Sequence, residues 1–123
     1  MIEDDCPFCQ ITEVVLKNEL AYTLYDSYPV NEGHLLIIPY RHVSDYFELS
    51  KEEQAAVQSL LVEGKALLTK QYHPDGFNVG INISEAAGQT VWHVHVHLIP
   101  RYKGDMDDPR GGVRGVIPGK QKY

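Results

Sequence analysis

Trp92-His93-Val94-His95-Val96-His97-Leu98-Ile99-Pro100-Arg101 sets three imidazoles at alternate positions among apolar residues. Val94, Val96, Leu98 and Ile99 suit a pleated, half-buried strand. Side chains alternate across a strand, so His93, His95 and His97 are expected on one face and Trp92, Val94, Val96 and Leu98 on the other. Neighbours on one face stand roughly 6.6 Å apart at a rise of about 3.3 Å per residue. Three of the chain's six histidines thus fall within five residues, backed by an apolar surface that anchors them on a core. A merely solvated face would be served as well by Ser, Thr or Lys. Two kinds of chemistry remain. Alternate strand histidines can ligate zinc at about 2.0–2.1 Å per bond, although a straight strand spreads the outer two for a single ion. An uncharged imidazole can also attack a phosphorus centre and form a covalent intermediate.

Outward from this stretch, His34–Pro39 is a nearly continuous apolar run that fits a central strand. Leu20–Asp26 reads as a strand, followed by a turn over Ser27–Gly33 that contains Pro29 and Asn31. Phe77–Ile83 alternates Phe, Val, Ile and Ile with Asn and Gly, a strand leading into the loop Ser84–Gln89. Glycine and small residues there let backbone amides approach an anion. Ser50-Lys51-Glu52-Glu53 is a capping box. Val57, Leu60, Leu61, Gly64, Leu67 and Leu68 then recur at helical spacing, predicting a helix to about Tyr72 that His73-Pro74-Asp75-Gly76 stops. Its apolar stripe is expected to pack on the Trp92/Val94/Val96/Leu98 face, leaving His73 at the surface.

At 123 residues one domain is expected, with its core at about 6–101 and an irregular Gly/Pro-rich arm at 102–123. Hydrophobic content of 43% and charged content of 23% are ordinary for a soluble globular protein. No apolar run approaches the ~20 residues of a membrane span, and the acidic N-terminus is no signal peptide, so the expected location is cytoplasmic. The net charge of −6 argues against a nucleic-acid partner. Charge is unevenly placed: from Arg101 onward six Lys or Arg face three Asp, making the arm +3 and the rest −9. Arg101, Lys103, Arg110 and Arg114 could meet distal phosphates of a substrate, or the arm could pack on a neighbouring subunit. Cys6-Pro7-Phe8-Cys9, without a secretory signal, reads as half of a zinc site or as a redox pair rather than a structural disulfide. A tetrahedral zinc would need two further ligands, with His34, His42, His73 and the triad as candidates.

His93–Ile99 fits the His-φ-His-φ-His-φ-φ signature of the histidine triad family of nucleotide hydrolases and transferases. Gly88-Gln89-Thr90-Val91 resembles the approach to the triad in the fragile-histidine-triad, dinucleoside polyphosphate hydrolase branch. Gly33-His34-Leu35-Leu36-Ile37-Ile38-Pro39 resembles the family's second motif. The likeness runs from the Cys6 region to about Arg101. It implies an α+β fold: a five-stranded antiparallel sheet with one long helix and a short N-terminal helix, paired as a homodimer. It also implies a structural zinc on Cys6, Cys9, His42 and His93, leaving His95 and His97 for chemistry. By the same resemblance Asp26 holds ribose hydroxyls, Phe8 and Leu24 wall the nucleobase pocket, and Asn82, Gln89 and Thr90 contact the α-phosphate and bridging oxygen. The terminal tryptophan of the phosphoramidate branch and the long acidic tail of the fragile branch are both missing.

The mechanism so implied has neutral His95 attack the α-phosphorus, with His97 and His34 flanking it and Gln89 assisting, and water releasing a nucleoside monophosphate. It requires no catalytic metal. The expected function is hydrolysis of dinucleoside polyphosphates such as diadenosine tetraphosphate. A phosphoramidate hydrolase, a nucleotidyltransferase or phosphorylase, and a nucleotide-binding or sensing protein are the alternatives. His97, where family transferases tend to carry Gln, favours hydrolysis.

Overall fold

The computed structural model describes Glu3 and residues 5–123; Met1, Ile2 and Asp4, part of the acidic lead, lie outside the described residues. In chain order the elements are β1 (Leu16–Lys17), β2 (Ala21–Tyr25), β3 (Leu35–Pro39), α1 (Lys51–Tyr72), β4 (Gly76–Ile81) and β5 (Val96–Arg101). The strands form one antiparallel sheet in the order β1-β2-β3-β5-β4, so the two apolar motifs of the sequence lie side by side at its centre. Leu36 of β3 stands opposite His97 of β5 in the register.

The apolar run of β3 is buried on both faces, and that explains its unbroken composition. Leu35 and Ile37 join Ala21, Val96 and Leu98 beneath Val57, Leu60 and Leu68 of α1. Leu36 and Ile38 face the other way, with Tyr22, Phe8, Leu24 and Tyr40. The helix begins with the predicted box: the Ser50 hydroxyl accepts from the Glu53 amide and the Glu53 carboxylate accepts from the Ser50 amide. It ends at the exposed His73, a left-handed C-cap with φ 54°. Among the described residues no helix is long and apolar enough to cross a membrane.

The structure departs from expectation in two places. No helix forms among the described N-terminal residues; Asp5–Cys9 makes turns, and the two-residue β1 follows. The strand carrying the histidines starts at Val96, not before it, so strict alternation fails upstream. His93 and Val94 are consecutively buried while Trp92 is 48% exposed and does not join the core beneath α1. Val94 donates its amide to the Val43 carbonyl, which draws this segment out of the sheet and beside His42. The arm folds back on itself. It makes 3-10 turns at Gly112–Val116 and Pro118–Lys120 and lies against β4.

Candidate active site

On β5, Val96 and Leu98 point into the helix-covered core, so His97 and Ile99 point to the open face of the sheet. A cleft of about 410 Å³ opens there, lined by Phe8, Leu24, Asp26, Asn82, Thr90, His95 and His97 among others. Seven of the residues singled out in the sequence therefore converge on one space. The Phe8 and His95 rings stand 4.9 Å apart.

Backbone groups set the imidazole tautomers. His95 Nδ1 lies 2.8 Å from the carbonyl oxygen of His93. A carbonyl only accepts, so Nδ1 carries the hydrogen and Nε2 keeps its lone pair. His93 Nε2 lies 2.7 Å from the Pro39 carbonyl, which by the same logic leaves its Nδ1 unprotonated. His34 Nδ1 accepts from the Val30 amide at 3.0 Å, so its Nε2 bears the hydrogen and donates to His97 Nδ1 at 2.9 Å. That in turn makes His97 Nε2 a hydrogen-bond donor. Burial, then the neighbouring His95 and His34, pulls His97 down to about 4, and burial also lowers His34. Both rings are neutral at pH 7.

Asp26 Oδ2 stands 3.5 Å from His34 Nε2, while its Oδ1 accepts the Tyr28 amide. Asp26, His34 and His97 bring three ligand-type atoms within 4.8 Å of one another. A cation on His34 Nε2 would move the ring hydrogen to Nδ1, where it would meet the Val30 amide donor to donor. The trio is a hydrogen-bond relay rather than a metal centre.

The second cluster behaves oppositely. His93 Nδ1 stands 3.4 Å from Cys6 Sγ and 3.6 Å from Cys9 Sγ, and His42 Nδ1 is 3.3 Å from Cys9 Sγ. Tetrahedral zinc bonds of about 2.0–2.3 Å need ligand separations close to these. Burial depresses His93, keeping its lone pair available, and raises the Cys6 thiol. The turn carrying the cysteines is tied down by the Tyr22 hydroxyl, which donates to the Phe8 carbonyl. Cys6, Cys9, His42 and His93 thus form a Cys₂His₂ set with its donor atoms aimed inward.

Gln89 is placed otherwise than its expected contact with phosphate. It is buried, its amide donates to the carbonyls of Ser44 and Val91, and its carbonyl accepts the Ser84 amide. Both donor hydrogens are spent on backbone carbonyls, one of them across the fold in the segment after β3. Asn82 and Thr90 do border the cleft. Sequence reasoning missed the Val30 amide and the Tyr22 hydroxyl. A backbone amide carries no side-chain signal, and Tyr22 reads as one more strand aromatic. Of the arm's cations, Arg101 is held by Asp105 and Asn78, and Arg114 stacks on Tyr123 at 4.7 Å.

With this geometry in place, the HIT domain profile matches residues 10–104. The chain belongs to the HIT family. An AP-4-A phosphorylase of Mycobacterium tuberculosis is 36% identical over 109 residues, covering 82% of this chain and 56% of its own. The chain therefore spans about half the length of that HIT relative. A bis(5'-adenosyl)-triphosphatase of Dictyostelium discoideum is 34% identical over 97 residues, covering 79% of this chain and 65% of its own. Among solved HIT structures, a Zn-bound histidine triad family protein from Mycobacterium smegmatis matches with a TM-score of 0.75 at 30% identity, covering 82% of this chain and 78% of the other.

Proposed function

We propose that this HIT protein hydrolyses dinucleoside polyphosphates at the α-phosphorus through a nucleotidyl-histidine intermediate on His95. One observation carries the reading: the His93 carbonyl holds His95 Nδ1–H, leaving Nε2 with a free lone pair beside the cleft. Phe8 and Leu24 supply apolar walls for a base, and Asp26 a carboxylate for ribose hydroxyls. Relatives named for diadenosine tetraphosphate and triphosphate chemistry support the substrate class.

In the first step Nε2 forms a bond to the α-phosphorus, and the bond from phosphorus to the bridging oxygen breaks. The nucleoside polyphosphate leaves as an anion and needs no proton. The modified ring becomes cationic, so its Nδ1–H bond to the His93 carbonyl strengthens as charge develops. His97 Nε2–H, aligned by His34, donates to phosphoryl oxygens; Asn82 and Thr90 stand at the same cleft, and Gln89 shapes the loop behind them. Water then attacks phosphorus, the electron pair of the P–N bond returns to Nε2, and a nucleoside monophosphate departs while the water proton passes to solvent. Cys6, Cys9, His42 and His93 would hold a structural zinc, whose chemistry is to fix the N-terminal turn. The open edge of β4 is the surface on which a homodimer would pair its sheets.

A second reading has a specific observation behind it, the phosphorylase relative. Diadenosine tetraphosphate incubated without added divalent metal is expected to give AMP and ATP. ADP in place of AMP when inorganic phosphate is added would instead make the protein a phosphorylase. His95→Ala is expected to lose at least about 10⁴-fold in kcat. Retention of more than a small fraction would refute the nucleophile.

A further inference from the structure

The 410 Å³ cleft is not the only space at the triad. Beyond His97 a second chamber of about 580 Å³ adjoins it, and the two share Asp26, Tyr28, Asn82 and His97. One wall of this chamber is β4 and another is the folded arm, through Gly112, Val113, Gly115 and Val116. We propose that the arm completes a leaving-group subsite built for a second nucleoside, a refinement that rests on the hydrolase reading above.

Direction along β5 supports the assignment. His95 borders only the first cleft, His97 stands between the two spaces, and Ile99, next on the same face, lies in the second. In-line displacement places the leaving group opposite the attacking nitrogen. A nucleotide seated against Phe8 and Leu24 and attacked by His95 therefore sends its remaining phosphates past His97 toward Ile99. Wall chemistry then selects the occupant. Val30, Ile99, Val113 and Val116 give the chamber its apolar surface, with amides from Asn78 and Asn82, the Asp26 carboxylate on the side shared with the first cleft, and no Lys or Arg in its lining. A bare polyphosphate finds no counter-charge here, whereas a nucleoside finds flat apolar contact with hydrogen-bonding groups at its edge. Val113 and Val116 are 59% and 81% exposed, apolar surface left for an occupant to cover.

The arm is built to hold this wall. Gln121 donates to the Arg110 carbonyl, Lys122 pairs with Asp108 at 3.4 Å, and Arg114 lies over Tyr123. Gly111 turns the chain at φ +89°, and any Cβ there would collide with the Gln121 backbone.

The test compares kcat/KM for diadenosine tetraphosphate with that for adenosine 5'-tetraphosphate, which has the same AMP half and four phosphates but no second nucleoside. The intact protein is expected to prefer the dinucleotide by about tenfold or more. Val113→Ser/Val116→Ser, both at exposed positions, and Gly111→Ala, which unseats the arm, are each expected to bring that ratio toward one, chiefly through KM. A ratio near one in the intact protein, or a ratio unmoved by the variants, overturns the subsite. Equal loss of both substrates together with a changed sedimentation coefficient overturns it too, assigning the face to a second copy of the chain. Turnover of neither substrate by the intact protein removes the hydrolase reading itself, a result distinct from all of these.

Discussion

His97 shows how much of the proposed chemistry is settled one side chain at a time. Its Nδ1 is committed to His34, whose own Nδ1 is committed to the Val30 amide, so the ring facing the cleft is a neutral donor. Burial holds it near 4 against an ordinary histidine value of 6.5. The unfolded chain takes up its proton as pH falls through 6.5, whereas the native state resists until about 4. The contribution is therefore present in full above 6.5 and is lost as pH falls from 6.5 toward 4. Urea midpoints measured at pH 7, 6 and 5 are expected to decline in the unmodified protein and to decline less in His97→Gln. Equal slopes would mean that His97 titrates normally. The relay from Val30 through His34 to His97 was not legible in the sequence. The triad's spacing announces the imidazoles, but carbonyls of His93 and Pro39 and the amide of Val30 decide which nitrogen bears hydrogen, and a residue pattern does not encode them. Asn82, Thr90 and Asp26 border the cleft, whereas Gln89 turns inward because Ser84 and Val91 of its own loop and Ser44 of the segment after β3 supply its backbone partners first.

Among the elements, α1 was the most legible and β1 the least, while β5 was read with its start misplaced. The helix's ends are written in local chemistry, with Ser50 and Glu53 capping one end and proline and glycine following the other. Its partner face differs from expectation because alternation alone cannot tell where a strand leaves the sheet. The bond from Val94 to Val43 ends the pairing, and Trp92 swings outward. Two-residue β1 is too short to show any period. Gly64 lies where the helix packs on the sheet: a Cβ there would stand 3.2 Å from Leu98 Cδ2 and 3.3 Å from Leu35 Cδ1. A long branched side chain must displace these two leucine ends, which pack beside the strands that carry the histidines. Gly64→Leu is expected to cost about 1–3 kcal/mol by urea denaturation, the usual range for overpacking. A change below about 0.5 kcal/mol would show that the contact yields easily. Glu53 links this element to the site in another way. Its carboxylate also accepts from Arg41 Nη2 and Nε, at 2.8 and 3.1 Å, so the helix N-terminus braces the segment that leads into His42.

Across the whole molecule, one feature joins the N-terminus, the segment after β3 and the segment before β5: the Cys₂His₂ set. Besides this set, the described residues up to Cys9 are held by the packing of Phe8 against Tyr22, Leu36 and Ile38 and by the Tyr22–Phe8 hydrogen bond. A zinc bound by these four residues would therefore act as a tether. It would seat Phe8, one wall of the cleft, and steady His93, whose carbonyl orients the His95 ring. Both substrate affinity and nucleophile alignment should depend on it, although no step of the chemistry passes through the metal. Protein purified without added metal is expected to contain about one zinc per chain by elemental analysis. Stripping it with a strong chelator, or replacing Cys9 by Ser, is expected to lower the melting temperature by roughly 10 °C, the shift that about 2–3 kcal/mol makes in a domain of this size. Because base wall and imidazole move together, KM should rise and kcat should fall, and restored zinc should recover both in the chelated protein but not in Cys9→Ser. Zinc-free protein that kept its melting temperature and its kcat/KM would show that the N-terminal turn and the catalytic histidine are held by the polypeptide alone.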